Sequence, residues 1–268
     1  MPALPADAAA PNMPDDEQAA AALRPVYRRA GGQHDAPADT MLRRIADDAS
    51  NLLRLAAFPA AFELAAVAVL KRHGASMDAE FRIDLLALAC EAGYAGLAAA
   101  LLAERLAWRD GDRFECMTLA IRSGQPSLVS LLLAAGIDAR TRSACGATLL
   151  GHAIATGNAA MVQLLRDAGA RADADGHALA VAASLGWAEM IGQCIDDGAG
   201  SAALAGALDI AAHAGQHRAL GQLLQAGAPV DPALRHATRR SDTEAVELIQ
   251  AGVAARLLVS GALLSRLI

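Results

Sequence analysis

The stretch that decides the fold is residues 146–170, which read GATLLGHAIATGNAAMVQLLRDAGA. Gly157 and Gly169 lie 12 residues apart in it, and Ala153 lies four residues before the first of them. The apolar run MVQLL at 161–165 has helical spacing. Glycine is favoured just after a helix because the backbone there often needs a positive φ. The stretch therefore predicts two short helices that end at Gly157 and Gly169.

The same spacing of one alanine and two glycines recurs along the chain about every 30 residues. Three further copies keep all three positions: Ala120, Gly124 and Gly136; Ala182, Gly186 and Gly198; Ala211, Gly215 and Gly227. An earlier copy keeps only Ala89 and Gly93, and a shorter final copy places Ser241 and Gly252 at the two glycine positions. Strand-type alternation is absent, so the repeats predict antiparallel helix pairs.

Stacked pairs are needed because one helix pair cannot bury its apolar face alone. We therefore expect repeats over 85–252, N-terminal capping helices and a degenerate first repeat over 41–84, and a C-terminal capping helix over 253–268. Residues 1–40 contain six prolines and no sustained hydrophobic periodicity, which predicts a disordered tail. Thr40 is the expected N-cap of the first helix.

Residues 146–170 resemble one ankyrin repeat, whose family pattern is G-x-T-P-L-H-x-A, a Gly, V-x-L-L and then G-A. The preceding segment, GIDAR at 136–140, resembles the G-A-D-V-N segment that opens the family's finger loop. The resemblance is strongest over 120–170 and covers roughly 200 residues at some level. It implies an all-α, ankyrin-type solenoid of about six to seven helix-turn-helix repeats with short finger loops.

The chain departs from the family pattern at two positions of its best repeat. Leu149 replaces the usual Pro, and Gly151 occupies the usual His position. In the family those residues cap the first helix and tie it to its neighbours, so their loss predicts a less stable array. The 29-residue spacings further on shorten 170–176 and 199–203, where we predict truncated fingers.

The resemblance implies that a partner binds at the finger tips and at the concave face lined by the first helices. The finger candidates are Trp108, Arg109, Asp110, Asp112, Arg113, Arg140 and Arg142. The concave row lies two residues before each turn position and comprises Glu91, Arg122, Ala155, Ser184, His213 and Arg239. Trp108 is either an interface anchor or packed under its own finger, and Trp187 is either a second anchor or a shield for helix ends.

Composition and motifs favour binding over catalysis. The formal net charge is −6, with 23 basic and 29 acidic residues, which argues against extended contact with nucleic acid. The sequence contains no GxxxxGK[ST], GxGxxG, HExxH or GxSxG motif and no CxxC pair among its four cysteines. Gly215 should place His213 and His217 on either side of a turn, which disfavours zinc. We expect no enzymatic activity, cofactor or metal.

Two further patterns have ordinary interpretations. Residues 143–165 carry no Asp, Glu, Lys or Arg over 23 positions, long enough to span a bilayer. A helix pair flanked by other repeats explains that stretch better, so we expect no membrane contact. Asp196 and Asp197 fall at a helix end and are interpreted as solvated charge. Lys71 is the only lysine, which suggests a GC-rich and hence bacterial genome.

Three functional hypotheses follow. The first is a module that binds a protein partner, either as a regulator or immunity protein in the cytoplasm or as an effector delivered into a host cell. Residues 1–22 lack the basic region of a secretory signal. Under this hypothesis, residues 1–40 are therefore either the export signal of a specialised secretion system or an inert tail. The second is an enzyme with an unrecognised site. The third is a structural spacer or oligomer.

Overall fold

The computed structural model describes residues 14–32, 36–47, 61–74, 77–104, 106–172 and 176–264. Within these ranges the chain contains 15 helices, and its only bridge between extended residues joins Arg142 to Thr148. The all-α prediction is confirmed. The chain forms two compact units, Met1–Ser123 and Gly124–Ile268.

The first unit contains six described helices that stack as pairs. They are α1 (Asp16–Arg29), α2 (Ala38–Asp47), α3 (Phe62–His73), α4 (Ala79–Ala92), α5 (Ala95–Leu102) and α6 (Asp112–Arg122). Helices α2, α4 and α6 contact one another in succession, and α3 packs against α5. First helices therefore stack on first helices, and second helices stack on second helices.

Helix α1 overturns the prediction of a disordered tail for residues 14–32. Asp15 caps the helix: its Oδ1 accepts a hydrogen bond from the Gln18 main-chain N–H at 2.8 Å, and Gln18 Oε1 accepts one from the Asp15 N–H at 3.2 Å. Ala19, Leu23 and Val26 are buried at spacings of four and three residues. Helix α1 packs on α2 and α3, so it covers the first helix pair.

The predicted start of the N-terminal capping helices, over 41–84 with Thr40 as N-cap, also changes. Helix α2 begins at Ala38, so Thr40 lies inside it and the prediction of Thr40 as N-cap is wrong. Residues 48–60 and 75–76 of the predicted segment 41–84 lie outside the described residues.

The second unit contains nine described helices. They are α7 (Pro126–Ala134), α8 (Leu149–Ala155), α9 (Ala159–Asp167), α10 (His177–Leu185), α11 (Ala188–Asp196), α12 (Ser201–His213), α13 (His217–Gln225), α14 (Val230–Arg239) and α15 (Thr243–Leu264). The first helices α8, α10, α12 and α14 contact one another in succession. Among the second helices, α7 packs on α9, α11 on α13, and α13 on α15.

The turns of the repeats occur where the sequence predicts them. Gly157, Gly186 and Gly215 end the first helices with φ values of 68°, 66° and 65°. Ser241 takes the same position in the last copy with φ 56°, and it is the only residue other than glycine with positive φ in the described ranges. The prediction that Ser241 replaces a turn glycine is therefore confirmed.

The predicted end of the last repeat is wrong. Gly252 lies inside α15, which continues to Leu264. A Cβ atom on Gly252 would collide with Leu224 of α13, so this glycine allows close packing rather than a turn. Consequently, no separate capping helix begins at residue 253. Residues 265–268 of that predicted helix lie outside the described residues.

The loops between repeats differ in length. Residues 197–200 alone separate α11 from α12, which confirms the truncated finger predicted near 199–203. Residues 135–148 separate α7 from α8 and contain the bridge from Arg142 to Thr148. Of the other predicted short finger, 170–176, the segment 173–175 is outside the described residues.

Candidate protein-binding surface

The first finger, residues 106–111, precedes α6 in the first unit. Its Arg109 points at carboxylates: Nη1 donates to Glu80 Oε1 at 2.7 Å, and Nη2 donates to Asp84 Oδ1 at 3.4 Å. Its Nε donates to Asp112 Oδ2 at 3.3 Å. The hydrogen bond and charge of Asp112 raise the pKa of Arg109 above its usual value. This arginine therefore holds its own loop against α4.

Asp112 is buried, which corrects its prediction as a partner contact. Only 9% of its side chain is exposed. Its Oδ2 accepts a hydrogen bond from the main-chain N–H of Arg109 at 2.7 Å, which closes the turn that leads into α6. The residue thus fixes the finger from within. The sequence shows an acid in a charged loop, and this pattern does not distinguish a buried carboxylate from an exposed one.

Trp108 is half-buried at the side of the same finger. The guanidinium carbon of Arg113 lies 5.4 Å from the centre of its ring, within the range of a cation–π contact. Arg113 and Asp110 are exposed. Trp108 therefore packs on a neighbour with part of its surface and leaves the rest open, and its role as an anchor stays a prediction. Trp187 is likewise half-buried.

The predicted concave row of the first unit consists of Glu91 and Arg122. They lie on the contacting helices α4 and α6, with Arg122 Nη2 3.9 Å from Glu91 Oε1. Arg122 keeps 61% of its side chain exposed. Each lies two residues before a glycine with positive φ, as predicted.

The row of the second unit is exposed along its whole length. Ala155, Ser184, His213 and Arg239 lie near the ends of α8, α10, α12 and α14, each two residues before a positive-φ position. His213 Nδ1 lies 3.3 Å from Asp242 Oδ2, so this part of the row presents a polar pair. His213 ends α12 and His217 begins α13, which confirms that a turn separates them.

A polar cluster beside this row was missed by the sequence analysis. Asp209 on α12 accepts from Arg240 Nη2 at 3.1 Å and lies 2.7 Å from His236 Nδ1. Asp209 and His236 line a shallow groove of about 480 Å³ between α12 and α14, together with Arg235 and Arg239. The sequence feature that could have revealed this cluster is a spacing of about one repeat, because Asp209 precedes His236 by 27 residues.

The second finger, residues 137–147, carries Arg140 and Arg142, both exposed. Asp138 Oδ1 accepts a hydrogen bond from the Arg140 main-chain N–H at 2.9 Å, which fixes the turn. Arg140 Nε donates to the carbonyl oxygen of Gly169 in the next repeat at 3.2 Å. Both predicted finger arginines therefore lie at the surface of the second unit.

Cys145 is exposed in this finger, whereas Cys90, Cys116 and Cys194 are buried. The Ser143 hydroxyl lies 3.1 Å from its Sγ, and this contact, followed by the Ala147 N–H, lowers the pKa of the Cys145 thiol. In contrast, contact with Cys90 and burial raise the pKa of Cys116. Within the described residues, no group of three or more His, Cys, Asp or Glu side chains is arranged to hold a metal ion.

With this geometry in place, comparison with known proteins gives a family. Residues 117–199 match the sequence pattern of ankyrin repeats, in three copies. These residues belong to the ankyrin-repeat family. Ankyrin repeats are protein-interaction modules and are typically not catalytic.

One solved structure is similar to this chain at low sequence identity. The crystal structure of the human ASB11 ankyrin repeat domain is 23% identical to this chain. The match covers 62% of this chain and 82% of that one with a TM-score of 0.49. The curated proteins gave no match. Among the helices described, none has the length and apolarity to cross a bilayer.

In the ankyrin repeat of residues 146–170, the missing His is replaced from the next repeat. Thr148 caps α8 by accepting the Gly151 N–H at 3.1 Å, and the Thr148 N–H donates to His177 Nδ1 at 3.2 Å. A Cβ atom at Gly151 would collide with the His177 ring. Gly151 thus makes room for a histidine that ties two repeats, where the sequence analysis expected only a lost tie.

A second tie joins the same ankyrin repeat to the one after it. Arg166 donates to both oxygens of Asp197 at 2.7 and 3.1 Å, and Asp197 also accepts the Ala172 N–H at 2.9 Å. Only 8% of the Asp197 side chain is exposed, so its prediction as solvated charge is wrong. Burial favours a higher pKa for Asp197, but the bonds from Arg166 and Ala172 outweigh it and lower the pKa.

Proposed function

We propose that this ankyrin-repeat chain binds a protein partner without catalysing a reaction, and that the second finger and the exposed row of the second unit hold that partner. The observation that carries the proposal is a register of exposed side chains. Ala155, Ser184 and His213 follow one another at intervals of 29 residues on contacting helices. Equivalent exposed positions at a fixed repeat create an extended surface on which a partner can dock.

The charges on this surface support a protein partner over a nucleic acid. Arginines lie on the second finger. In the row, His213 pairs with Asp242, and in the polar cluster beside it, Asp209 pairs with His236 and Arg240. Binding to nucleic acid relies on clustered positive charge that neutralises phosphates. Alternating signs and a formal charge of −6 suit a partner with complementary charges of both signs.

The cysteines support action in a reducing compartment. Cys90, Cys116, Cys145 and Cys194 are all free thiols, as is usual for cytoplasmic proteins. We therefore propose a cytoplasmic protein; delivery into the cytoplasm of a host cell is the alternative. Deleting residues 1–13 leaves the α1 cap intact and tests export: loss of secretion in that variant would support delivery.

Affinity capture with matched variants tests the proposed surface. The row variant is Ala155→Arg with Ser184→Arg, and the control is Ala160→Arg with Ser130→Arg, on exposed positions of the second helices α9 and α7. A protein that the native chain and the control both retain, but the row variant loses, would support the proposal. If extracts yield no specific protein, or if the row variant retains every captured protein, the proposed surface is wrong.

A further inference from the structure

The groove between α12 and α14 carries two arginines that have no partner within the described part of the chain. Arg235 and Arg239 line its wall on α14, lie one helical turn apart and are both exposed. Among the described residues, neither guanidinium group forms a hydrogen bond or an ion pair, and none joins Arg235 to Asp231 of the preceding turn. Both positive charges therefore face the groove unpaired.

Asp209 also lines the groove, but its negative charge is already paired. Its Oδ1 accepts a hydrogen bond from Arg240 Nη2 at 3.1 Å, and its Oδ2 lies 2.7 Å from His236 Nδ1. Only 17% of the Asp209 side chain is exposed. Because Arg240 offsets Asp209, the charges of Arg235 and Arg239 give the groove an excess of positive charge, although the whole chain is acidic.

The wall of the groove on α12 is built from small residues. Ala202, Ala205 and Gly206 line it, and a Cβ atom at Gly206 would meet no atom within 4 Å. The main chain of a bound segment can therefore approach α12 while its side chains reach the arginines of α14. A shallow groove of this kind suits a segment of a protein, because small-molecule sites are concave and enclose most of their ligand.

The spacing of the two arginines suits a pair of carboxylates. Residues four apart in a helix are separated by about 6 Å along its axis. Alternate residues of an extended segment are roughly 6.5 Å apart and point to the same side. Like charges one helical turn apart repel each other, and bound carboxylates would relieve that repulsion. Guanidinium groups also pair with carboxylates through two parallel hydrogen bonds, which a neutral amide does not reproduce.

We propose that this groove binds an acidic segment of the protein partner, whose carboxylates pair with Arg235 and Arg239. This inference rests on the proposed function, in which Arg239 belongs to the exposed row, and it names the chemistry that this end of the row recognises. Arg240 takes no part in recognition, because Asp209 already occupies it.

Fluorescence anisotropy with a labelled peptide tests the groove. The probe is a short peptide of alternating Glu and Ser, and its reference has Gln in place of each Glu. We expect the full chain to bind the Glu peptide and to bind the Gln peptide at least ~10-fold more weakly, because charged hydrogen bonds are lost. Absence of Glu-peptide binding up to ~1 mM would overturn the proposal.

Matched charge variants locate the binding. Arg235→Gln with Arg239→Gln should weaken Glu-peptide binding at least ~10-fold. The control, Arg28→Gln with Arg29→Gln, removes the same charge from exposed positions on α1 and should change binding less than ~2-fold. Equal loss in the two proteins would show that only net charge matters and would contradict a site.

A variant that fills the groove without changing its charge gives an independent test. Gly206→Leu places a side chain opposite the arginines and should weaken Glu-peptide binding several-fold. The control is Gly221→Leu on α13, where a Cβ atom likewise meets no atom within 4 Å, and it should bind as the native chain does. Full binding by a folded Gly206→Leu protein would overturn the proposal. If circular dichroism shows that this variant unfolds, the arginine pair decides.

Two further outcomes separate this inference from its alternatives. A single-stranded oligonucleotide that binds more tightly than the peptide, and that loses binding with Arg235 and Arg239, would replace the acidic segment with phosphate and overturn the proposal. If the peptide fails while row-dependent capture of a partner persists, only this inference is wrong; if both fail, the proposed function is also wrong.

Discussion

The two fingers use similar residues in opposite ways. In the first, Arg109 contacts three carboxylates and Asp112 is buried beneath the loop. In the second, Arg140 contacts a carbonyl group and borders a small cavity. The difference originates in the preceding repeat, because Glu80 and Asp84 belong to α4. Whether a finger arginine forms ion pairs within the chain therefore depends on the acidic residues of the neighbouring helix.

The largest expected effect is on the ion pair between Arg166 and Asp197. Asp197→Ala leaves Arg166 without its partner and removes the acceptor of the Ala172 N–H, so it should destabilise the protein by roughly 2–3 kcal/mol. Urea unfolding followed by circular dichroism measures this loss. A change below ~0.5 kcal/mol would show that Asp197 is solvated after all.

The same variant should also change how stability depends on pH. Because the pKa of Asp197 is lowered in the folded state, its contribution is present above the unfolded pKa near 3.8 and is lost as pH falls through the folded pKa. The native chain should therefore lose more stability than Asp197→Ala in this acid range. Parallel pH profiles for the two proteins would argue against the ion pair.

A smaller loss is expected from the base of the first finger. Asp112→Ala removes the acceptor of the Arg109 main-chain N–H from a buried position, which should cost about 1–2 kcal/mol of unfolding free energy. Asp138→Ala, the matched change in the exposed turn of the second finger, should cost less than ~1 kcal/mol. Equal losses for the two variants would remove the contrast between the fingers.

A still smaller difference separates the finger arginines. Arg109→Gln should lower the unfolding midpoint slightly, since the Arg109 side chain is half-exposed and its ion pairs are screened by solvent. Arg140→Gln should leave the midpoint unchanged, because the Arg140 Nε donates to a neutral carbonyl group rather than to a carboxylate. Thermal scans of both variants measure this difference, and an equal drop in the two midpoints would remove the contrast.

The smallest effect on the folded protein is expected from alkylation of Cys145. Its exposure and lowered pKa predict that one label enters the native chain at neutral pH, while Cys90, Cys116 and Cys194 react only after unfolding. Intact-mass spectrometry before and after denaturation counts the labels. Two or more labels in the native chain would show that a supposedly buried thiol is accessible.

The sequence predicted the positions of the repeats well, because the glycines that follow helix ends are required by local backbone geometry. Even Ser241 was identified at a turn position. Helix α1 was missed because Pro25 and the surrounding Ala-rich composition hide the buried face of Ala19, Leu23 and Val26. Local composition did not show that this face has α2 and α3 to pack against.

The site was predictable in position but not in role. Spacing alone located the exposed row and the finger arginines. It did not show that Asp112 is buried, that Asp197 pairs with Arg166 from the preceding repeat, or that His177 fills the space over Gly151. Each of these depends on contacts between residues about 30 positions apart or on loop geometry, which no short motif records.

The uninterrupted course of α15 has a consequence for how such an array can grow. Tandem duplication adds a repeat in register only where a second helix ends in a tight turn, as at Gly198 and Gly227. Helix α15 passes through Gly252 and continues to Leu264, so a unit inserted there would enter a helix rather than a loop. Lengthening by duplication is therefore compatible with the junctions upstream of Thr243, and engineered extra repeats belong there.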